Sequence, residues 1–265
     1  MSAKILESLD NIVGPKDIYH VFNDSSYDGK VNLDFHNTEP HRDEQVSDQW
    51  QAERHHQESM NIEYMQKLQQ EENMKLVFAS PRGGECRMSP RSKEEAERDP
   101  NLKEFIENNH VCECLKNTKR ISELNSEEIF AVVLIGGHGC LIDFPQSNEL
   151  PQLLQNVWYQ NRGIIGAIGQ GSIALLNMKS DKGQPFLKSR RITCMSNEEE
   201  KSLKEEVPYY VEEKLESVGA RVETQSPFKS NVIVEEERLI SGQNPQSSHE
   251  FSQRMYEMIK RHNKM

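Results

Sequence analysis

Residues Gly163–Leu176 read GIIGAIGQGSIALL. The first half is a short, continuous apolar run of the kind that forms a strand buried on both faces. At Gly169-Gln170-Gly171 the run breaks, and from Ser172 the apolar residues resume at helical spacing. The chain is therefore expected to turn sharply from strand into helix at Gly169. In many enzymes a nucleophile occupies such a turn, yet this position carries no side chain.

Working outward, the same alternation continues on both sides. Upstream, ELPQLLQNVWYQN predicts a helix with Leu150, Leu153, Leu154, Val157 and Trp158 turned inward, and IFAVVLIGG before it predicts another buried strand. KLVFAS is a third strand, and NLKEFIE, introduced by Asp99 and Pro100, is a helix. Downstream, RRITCM reads as a strand and VPYYVEEKLESVGA as a helix, with Pro208 near its start and Gly219 at its stop. NVIVEEERLISG gives two short strands joined by an acidic turn, and SSHEFSQRMYEMIKRH gives a closing amphipathic helix. Strands alternating with helices specify an α/β fold, a doubly wound and mostly parallel sheet sandwiched by helices. Sites in such folds lie beyond the carboxyl ends of the strands.

The alternation begins at about Met74. Residues 1–73 are dominated by Asn, Asp, Gln, Glu and His, a composition low in core-forming side chains. Within them KVNLDFHN places Val31, Leu33 and Phe35 on one face of a short strand, and Asp43 to Gln70 carries the thin apolar stripe of a long helix. The expected division is a polar N-terminal segment, 1–73, and an α/β domain, 74–265. His36, His41, His55 and His56 fall in the segment; neighbouring helical positions diverge by about 100°, so a solvated face is expected there rather than a metal site.

The chain has 265 residues and a net charge of -11. A phosphate backbone would be repelled by that field, which disfavours nucleic acid as a partner. No apolar run approaches the roughly 20 residues needed to cross a bilayer, and the N-terminus lacks the order of a secretory signal, so a cytoplasmic protein without membrane contact is expected. Five cysteines, an odd number, read as reduced thiols. Cys112 and Cys114 form a C-x-C pair with no second pair at ligand spacing, and are expected on a polar loop. No metal and no cofactor is expected: the glycine clusters lack nucleotide-binding spacing.

Three loops at strand ends carry candidate site residues: ASPRGGEC with Glu85, IGGHGC with Gly137 and His138, and AIGQGS with Gly169, Gln170 and Gly171. Backbone N–H groups at the start of the helix containing Ser172, facing the GGHG loop, are suited to holding an oxyanion or carboxylate.

Taken in order, ASPRGGE, VVLIGGHGCLIDFPQS, AIGQGSIALL, RRITCMSNEEE, VPYYVEEKL and LISGQNPQSS resemble the DJ-one/PfpI superfamily. The form GGHG-x-x-x-D-x-P is most similar to the branch of heat-shock-protein-31-type chaperones and glyoxalases. The resemblance runs from about Leu76 to the last helix and implies a flavodoxin-like sandwich similar to class I glutamine amidotransferase domains. In active members the elbow reads A-[IV]-C-H-G, with Cys as nucleophile and a Glu from the first strand's loop beside it. Carried over, Glu85 matches that Glu, Gly169 the Cys, Gln170 the His and Gly171 the Gly. Ser196 and Asn197 stand where relatives carry an acidic partner for the His.

Glyoxalase or deglycase chemistry needs a thiolate that adds to a carbonyl, and glycine cannot form that adduct. Gln170 does not titrate and cannot serve as a base. The leading expectation is thus a non-catalytic member that binds a small aldehyde, a carboxylate or a protein partner, in a stress-response setting. The alternative is a glyoxalase III-like or deglycase enzyme that acts on methylglyoxal through substitutes drawn from His138, Cys86, Cys140 and Cys194. A holdase-type chaperone is a third reading, and the resemblance implies a homodimer.

Overall fold

The computed structural model describes residues 17–21, 74–86, 107, 109–203 and 206–263. A seven-stranded sheet forms the centre. Its strands are β1 (Asp17–Val21), β2 (Lys75–Ser80), β3 (Lys119–Arg120), β4 (Ile129–Leu134), β5 (Ile164–Ile168), β8 (Val232–Glu235) and β9 (Leu239–Gly242), in the order β3-β2-β1-β4-β5-β9-β8. All neighbours pair in parallel except β8 with β9, which form an antiparallel hairpin at one edge. This is the expected α/β sandwich. From β1 the chain builds outward through β2 and β3, then returns to β4 on β1's other side. The order reverses between β1 and β4, where open α/β sheets place their sites.

Two layers of helices cover the sheet. Alternate residues of the central strands face opposite ways: Val132 and Leu134 of β4 and Ile165 and Ala167 of β5 pack into one core, and Ala131, Val133, Ile164 and Ile168 into the other. The first core is closed by α2 (Cys140–Gln146), α3 (Glu149–Gln155) and α5 (Val211–Ser217). All five side chains expected to point inward from Leu150 to Trp158 are buried. The second core is closed by α1 (Asn109–Lys116) and α6 (Ser248–Asn263), whose Phe251, Met255 and Ile259 recur every four residues and are fully buried. Each contributes about 1.5–3 kcal/mol by leaving water. Gly166 admits α6 this closely: a Cβ there would lie 2.9 Å from the Phe251 ring and 3.2 Å from the Met255 sulfur.

Several expectations are corrected. The strand that the N-terminal segment supplies is β1, between β2 and β4, at Asp17–Val21 rather than at KVNLDFHN. DIYHV is short and mixed in polarity, and periodicity over five residues could not single it out. KVNLDFHN, the Asp43–Gln70 helix and the four N-terminal histidines lie outside the described residues. Cys112 and Cys114 sit on α1 rather than on a loop. RRITCM contributes only β6 (Arg191–Ile192), which pairs with β7 (Arg221–Val222) in a separate small sheet. A further helix, α4 (Asn197–Ser202), was not anticipated.

Candidate functional site

The turn after β5 has the geometry its sequence implied. Ile168 is extended (φ -134°, ψ 137°), and Gly169 follows at φ +59°, a left-handed conformation that costs an L-residue about 1–2 kcal/mol. Residues Gly169–Leu175 then wind as a tight 3₁₀ turn, not an α-helix, and all seven are buried. A Cβ built on Gly169 would meet no described atom within 4 Å beyond its own chain neighbours. The next glycine is the reverse case: a Cβ on Gly171 would lie 2.5 Å from the Leu134 carbonyl oxygen and 3.0 Å from the Gly136 nitrogen. Gly136 is equally constrained, 2.6 Å from the Ile168 oxygen. These two close approaches clamp the elbow against the GGHG loop that leaves β4, while no described atom crowds the side to which residue 169 points.

Beside the elbow lies a buried polar chain of three side chains. The Gln170 Nε2 donates to Glu200 Oε1 at 2.7 Å, and the other oxygen, Oε2, lies 3.1 Å from His138 Nε2. All three are buried: His138 is 8% exposed, Gln170 3% and Glu200 2%. A carboxylate this deep requires such partners. Each belongs to a different segment: His138 to the loop after β4, Gln170 to the elbow, and Glu200 to the first turn of α4. The Glu200 carboxylate thus lies one residue and one hydrogen bond away from Gly169, with the His138 imidazole one hydrogen bond beyond it.

Glu200 was not among the candidates, although a signal for it exists. Ser196 and Glu199 form a reciprocal capping box: the Ser196 hydroxyl accepts from the Glu199 N–H, and the Glu199 carboxylate accepts from the Ser196 N–H at 2.9 Å. The pattern S-x-x-E announces this. Once Glu199 is committed to the cap, the residue after it points about 100° around the helix, which here is toward Gln170. Glu199 itself is a structural hub, since its two oxygens also accept from Gln243, Asn244 and the Phe228 N–H. That ties α4 to the loop after β9.

Glu85 is not gathered into this group. It is exposed at the end of β2, three strand spacings from β5, or roughly 14 Å at about 4.8 Å per strand. The segment also leads away from the elbow: Gly84 pairs with Thr118, just before the edge strand β3, and the Cys86 N–H donates to Leu115 of α1. A motif match fixes position along the chain, whereas reach across a sheet depends on strand order. Among the described residues, the carboxylate hydrogen-bonded to the elbow is Glu200.

The candidate substitute thiols are likewise not presented there. Cys86 is half-buried at the β2–α1 edge, packed on the second core. Cys140 is fully buried, and its Sγ donates to the Gly137 carbonyl at 2.7 Å. Cys194 is enclosed in the first core, where burial pushes its thiol well above the ordinary range and the Glu212 carboxylate pushes it further. Thiolates are the nucleophilic form, and both effects disfavour it at Cys194. Of the expected binding residues, Gly137, His138, Gly169, Gln170 and Gly171 are all buried around the elbow and its adjoining loop. Among the described residues no group of three or more His, Cys, Asp or Glu is arranged to hold a metal ion, and no helix is long and apolar enough to cross a membrane.

The sheet order, the elbow and the loop clamped against it define the class: the DJ-1/PfpI family matches residues 54–258, and the chain belongs to it. Among curated proteins it is similar to the putative glutathione-independent glyoxalase hsp3105 of Schizosaccharomyces pombe, 30% identical over 141 residues, 51% of this chain and 56% of that one. Glyoxalase 3 of Candida albicans is 29% identical over 142 residues, 51% and 59% of the two chains. These alignments span little more than half the length of either relative. Among solved structures, the rapid encystment protein of 24 kDa from Francisella tularensis superposes with a TM-score of 0.72 at 26% identity, covering 92% of this chain and 99% of that one. Glyoxalase III of Candida albicans superposes at 0.63 with 21% identity, covering 73% and 84%, a likeness of fold.

Proposed function

We propose that this chain recognises a small reactive carbonyl compound of the methylglyoxal class at the elbow, and holds it without forming a covalent bond to it. The observation that carries this reading is Gly169, a left-handed turn residue at which a Cβ would have no described atom within 4 Å beyond its chain neighbours, beside the buried Gln170–Glu200–His138 chain. Glutathione-independent glyoxalases among the relatives support the ligand class. Gln170 offers both a donor and an acceptor to a carbonyl or its hydrate, and the absence of a thiol at 169 argues against an adduct.

The relatives' names favour the other reading, turnover of methylglyoxal by substitute residues. In this chain its support is the His138–Glu200 pair, a histidine oriented by a buried carboxylate, an arrangement suited to general base catalysis. Cys140, whose Sγ donates to the Gly137 carbonyl, and Cys194 are both fully buried.

The deciding experiment measures methylglyoxal binding by calorimetry and turnover by substrate loss, for wild type and for Gly169→Cys/Gln170→His. Saturable binding without turnover in wild type, with turnover in the double variant, is the expected outcome. Wild-type turnover at about 1 per second or faster would refute the non-covalent reading and establish the enzymatic one.

A further inference from the structure

At the end of β5 remote from the elbow, the charge of the chain is locally reversed. The protein carries a net charge of -11, yet Arg162, Arg190 and Arg238 come together there around Trp158 and Phe186. The Arg238 guanidinium lies over the Trp158 ring, 4.0 Å from its centroid, and Nη1 donates to the carbonyls of Trp158 at 2.9 Å and Gly163 at 3.3 Å. The Arg238 backbone carbonyl accepts from the Ile165 N–H at 2.9 Å, so this residue is held at both ends. Arg190 stacks on Phe186 at 4.2 Å, donates from Nη1 to the Phe186 carbonyl, and pairs through Nε with Glu236 at 2.8 Å. Aromatic faces and carbonyls thus fix two guanidinium forks in place, and little rotamer freedom remains to be lost when an anion arrives.

The charge of the cluster is not balanced. Among the described residues, Arg162 and Arg238 make no ion pair with a carboxylate, and the Nε and Nη2 of Arg238 have no hydrogen-bond acceptor. Arg238 is half-buried, and burial pushes its guanidinium below the usual range; Glu236 opposes this, while Arg162 and Arg190 add to it. Asp181, the other carboxylate close by, acts on Tyr159 and pairs with none of the three arginines. The backbone around the cluster is strained as well. Five described residues other than glycine have a positive φ, and four of them border it: Arg162 (54°), Ser189 (65°), Glu236 (49°) and Glu237 (55°). Glu236 and Glu237 form the β8–β9 turn, a place where Asn-Gly would sit without strain. Such residues persist where their surroundings over-determine them, and they gather at ligand sites.

We propose that this cluster is a second binding site, for a phosphate group, held by the Arg238 and Arg162 guanidiniums with Arg190 beside them. A guanidinium fork matches two oxygens of a phosphate bidentately. A phosphate dianion has enough oxygens and charge to engage two forks at once, whereas a carboxylate has two oxygens and a single charge and satisfies one. The site is separate from the elbow and does not rest on the carbonyl reading there. Gly163 and Gly169 are six residues apart along an extended strand, or roughly 20 Å at about 3.3 Å per residue. Folds of this class place their sites at the carboxyl ends of the strands, so a site at the opposite end is a property of these arginines and not of the fold.

The test is calorimetry on the full chain with inorganic phosphate and, separately, phenyl phosphate, at constant ionic strength so that screening is the same throughout. Expected is saturable binding with a dissociation constant of about 1 mM or tighter. Equal affinity for the two probes marks free phosphate as sufficient, and tighter binding of phenyl phosphate marks an organic ester as the ligand; either result supports the site. Arg162→Gln, at an exposed position, should weaken binding about tenfold or more without lowering the melting temperature of the free protein. Arg238→Lys keeps the charge but loses the fork, and should weaken it comparably. Glu236→Gln removes the competing carboxylate and should tighten it about twofold or more. Arginines that serve only to pack the aromatic rings would show none of these changes. No saturable binding of either probe that tight, acetate bound as tightly as phosphate, or an affinity unchanged in both arginine variants would overturn the proposal. Gly169→Cys/Gln170→His should leave phosphate affinity unchanged within about twofold, which keeps failure here distinct from failure of the carbonyl reading.

Discussion

Placing an alanine at residue 169 and, separately, at residue 171 tests whether this turn is built to carry a side chain. At Gly169 the cost is backbone strain alone. A left-handed L-residue costs about 1–2 kcal/mol, partly offset by about 0.4–1 kcal/mol from restricting the unfolded chain, and no described atom obstructs the methyl group. The net loss is about 1 kcal/mol, or about 2–4 °C in melting temperature for a chain of this size. At Gly171 there is no left-handed strain, but the methyl carbon meets the Leu134 oxygen at 2.5 Å and the Ile135 carbonyl carbon at 3.0 Å. Those atoms belong to the end of the central strand β4 and the loop that leaves it, and cannot swing aside as a side chain would. Overpacking costs about 1–3 kcal/mol, and a contact with backbone places Gly171→Ala at the upper end, about three times the loss at 169. Urea titrations with unchanged slope, and thermal melts, measure both. If Gly169→Ala were as damaging as Gly171→Ala, or if Gly171→Ala were tolerated, the assignment of open space to one glycine and close packing to the other would be wrong.

Other expectations follow from the same geometry. Glu199→Gln turns an acceptor of five hydrogen bonds into a group whose amide faces donors, and should cost about 3 kcal/mol or more, read as an early urea transition with no change in the assignment of β5. Cys194 should resist iodoacetamide in the native protein at pH 9 and react only on unfolding, as mass spectrometry of labelled peptides would show. Because its folded pKa is raised by burial and by Glu212, its contribution to stability is complete at neutral pH and falls once the pH passes about 8.5, where the unfolded thiol ionises. The slope approaches about 1.4 kcal/mol per pH unit, and Cys194→Ala should flatten it even though that variant is less stable overall. Glu85→Gln should leave methylglyoxal affinity unchanged within twofold, whereas Glu200→Gln should alter it; an equal effect from both would contradict the separation of β2 from the elbow.

Much of the architecture was readable from local pattern. Apolar runs marked β2, β4 and β5, four-residue spacing marked α6, and the break at Gly169 marked the elbow, because each is decided by residues close together in the chain. β1 was not readable, since DIYHV is too short for periodicity and its place in the sheet comes from neighbours more than fifty residues away. α4 went unread because its capping signal lies within a run of three glutamates that differ only in which way they point.

The contrast is sharpest at the carboxylates. By itself the sequence determined that residue 169 is a turn without a nucleophile, because backbone conformation there depends on the residue and its immediate neighbours. It offered one acid, Glu85, by resemblance, and did not single out Glu200. The tertiary structure supplied the other carboxylate. Strand order sends the β2 loop to the sheet edge, and the capping box on α4 rotates Glu200 into the space between His138 and Gln170. Sheet order and helix rotation are set by pairings and packing across the whole fold, and these determine which distant side chain completes a site.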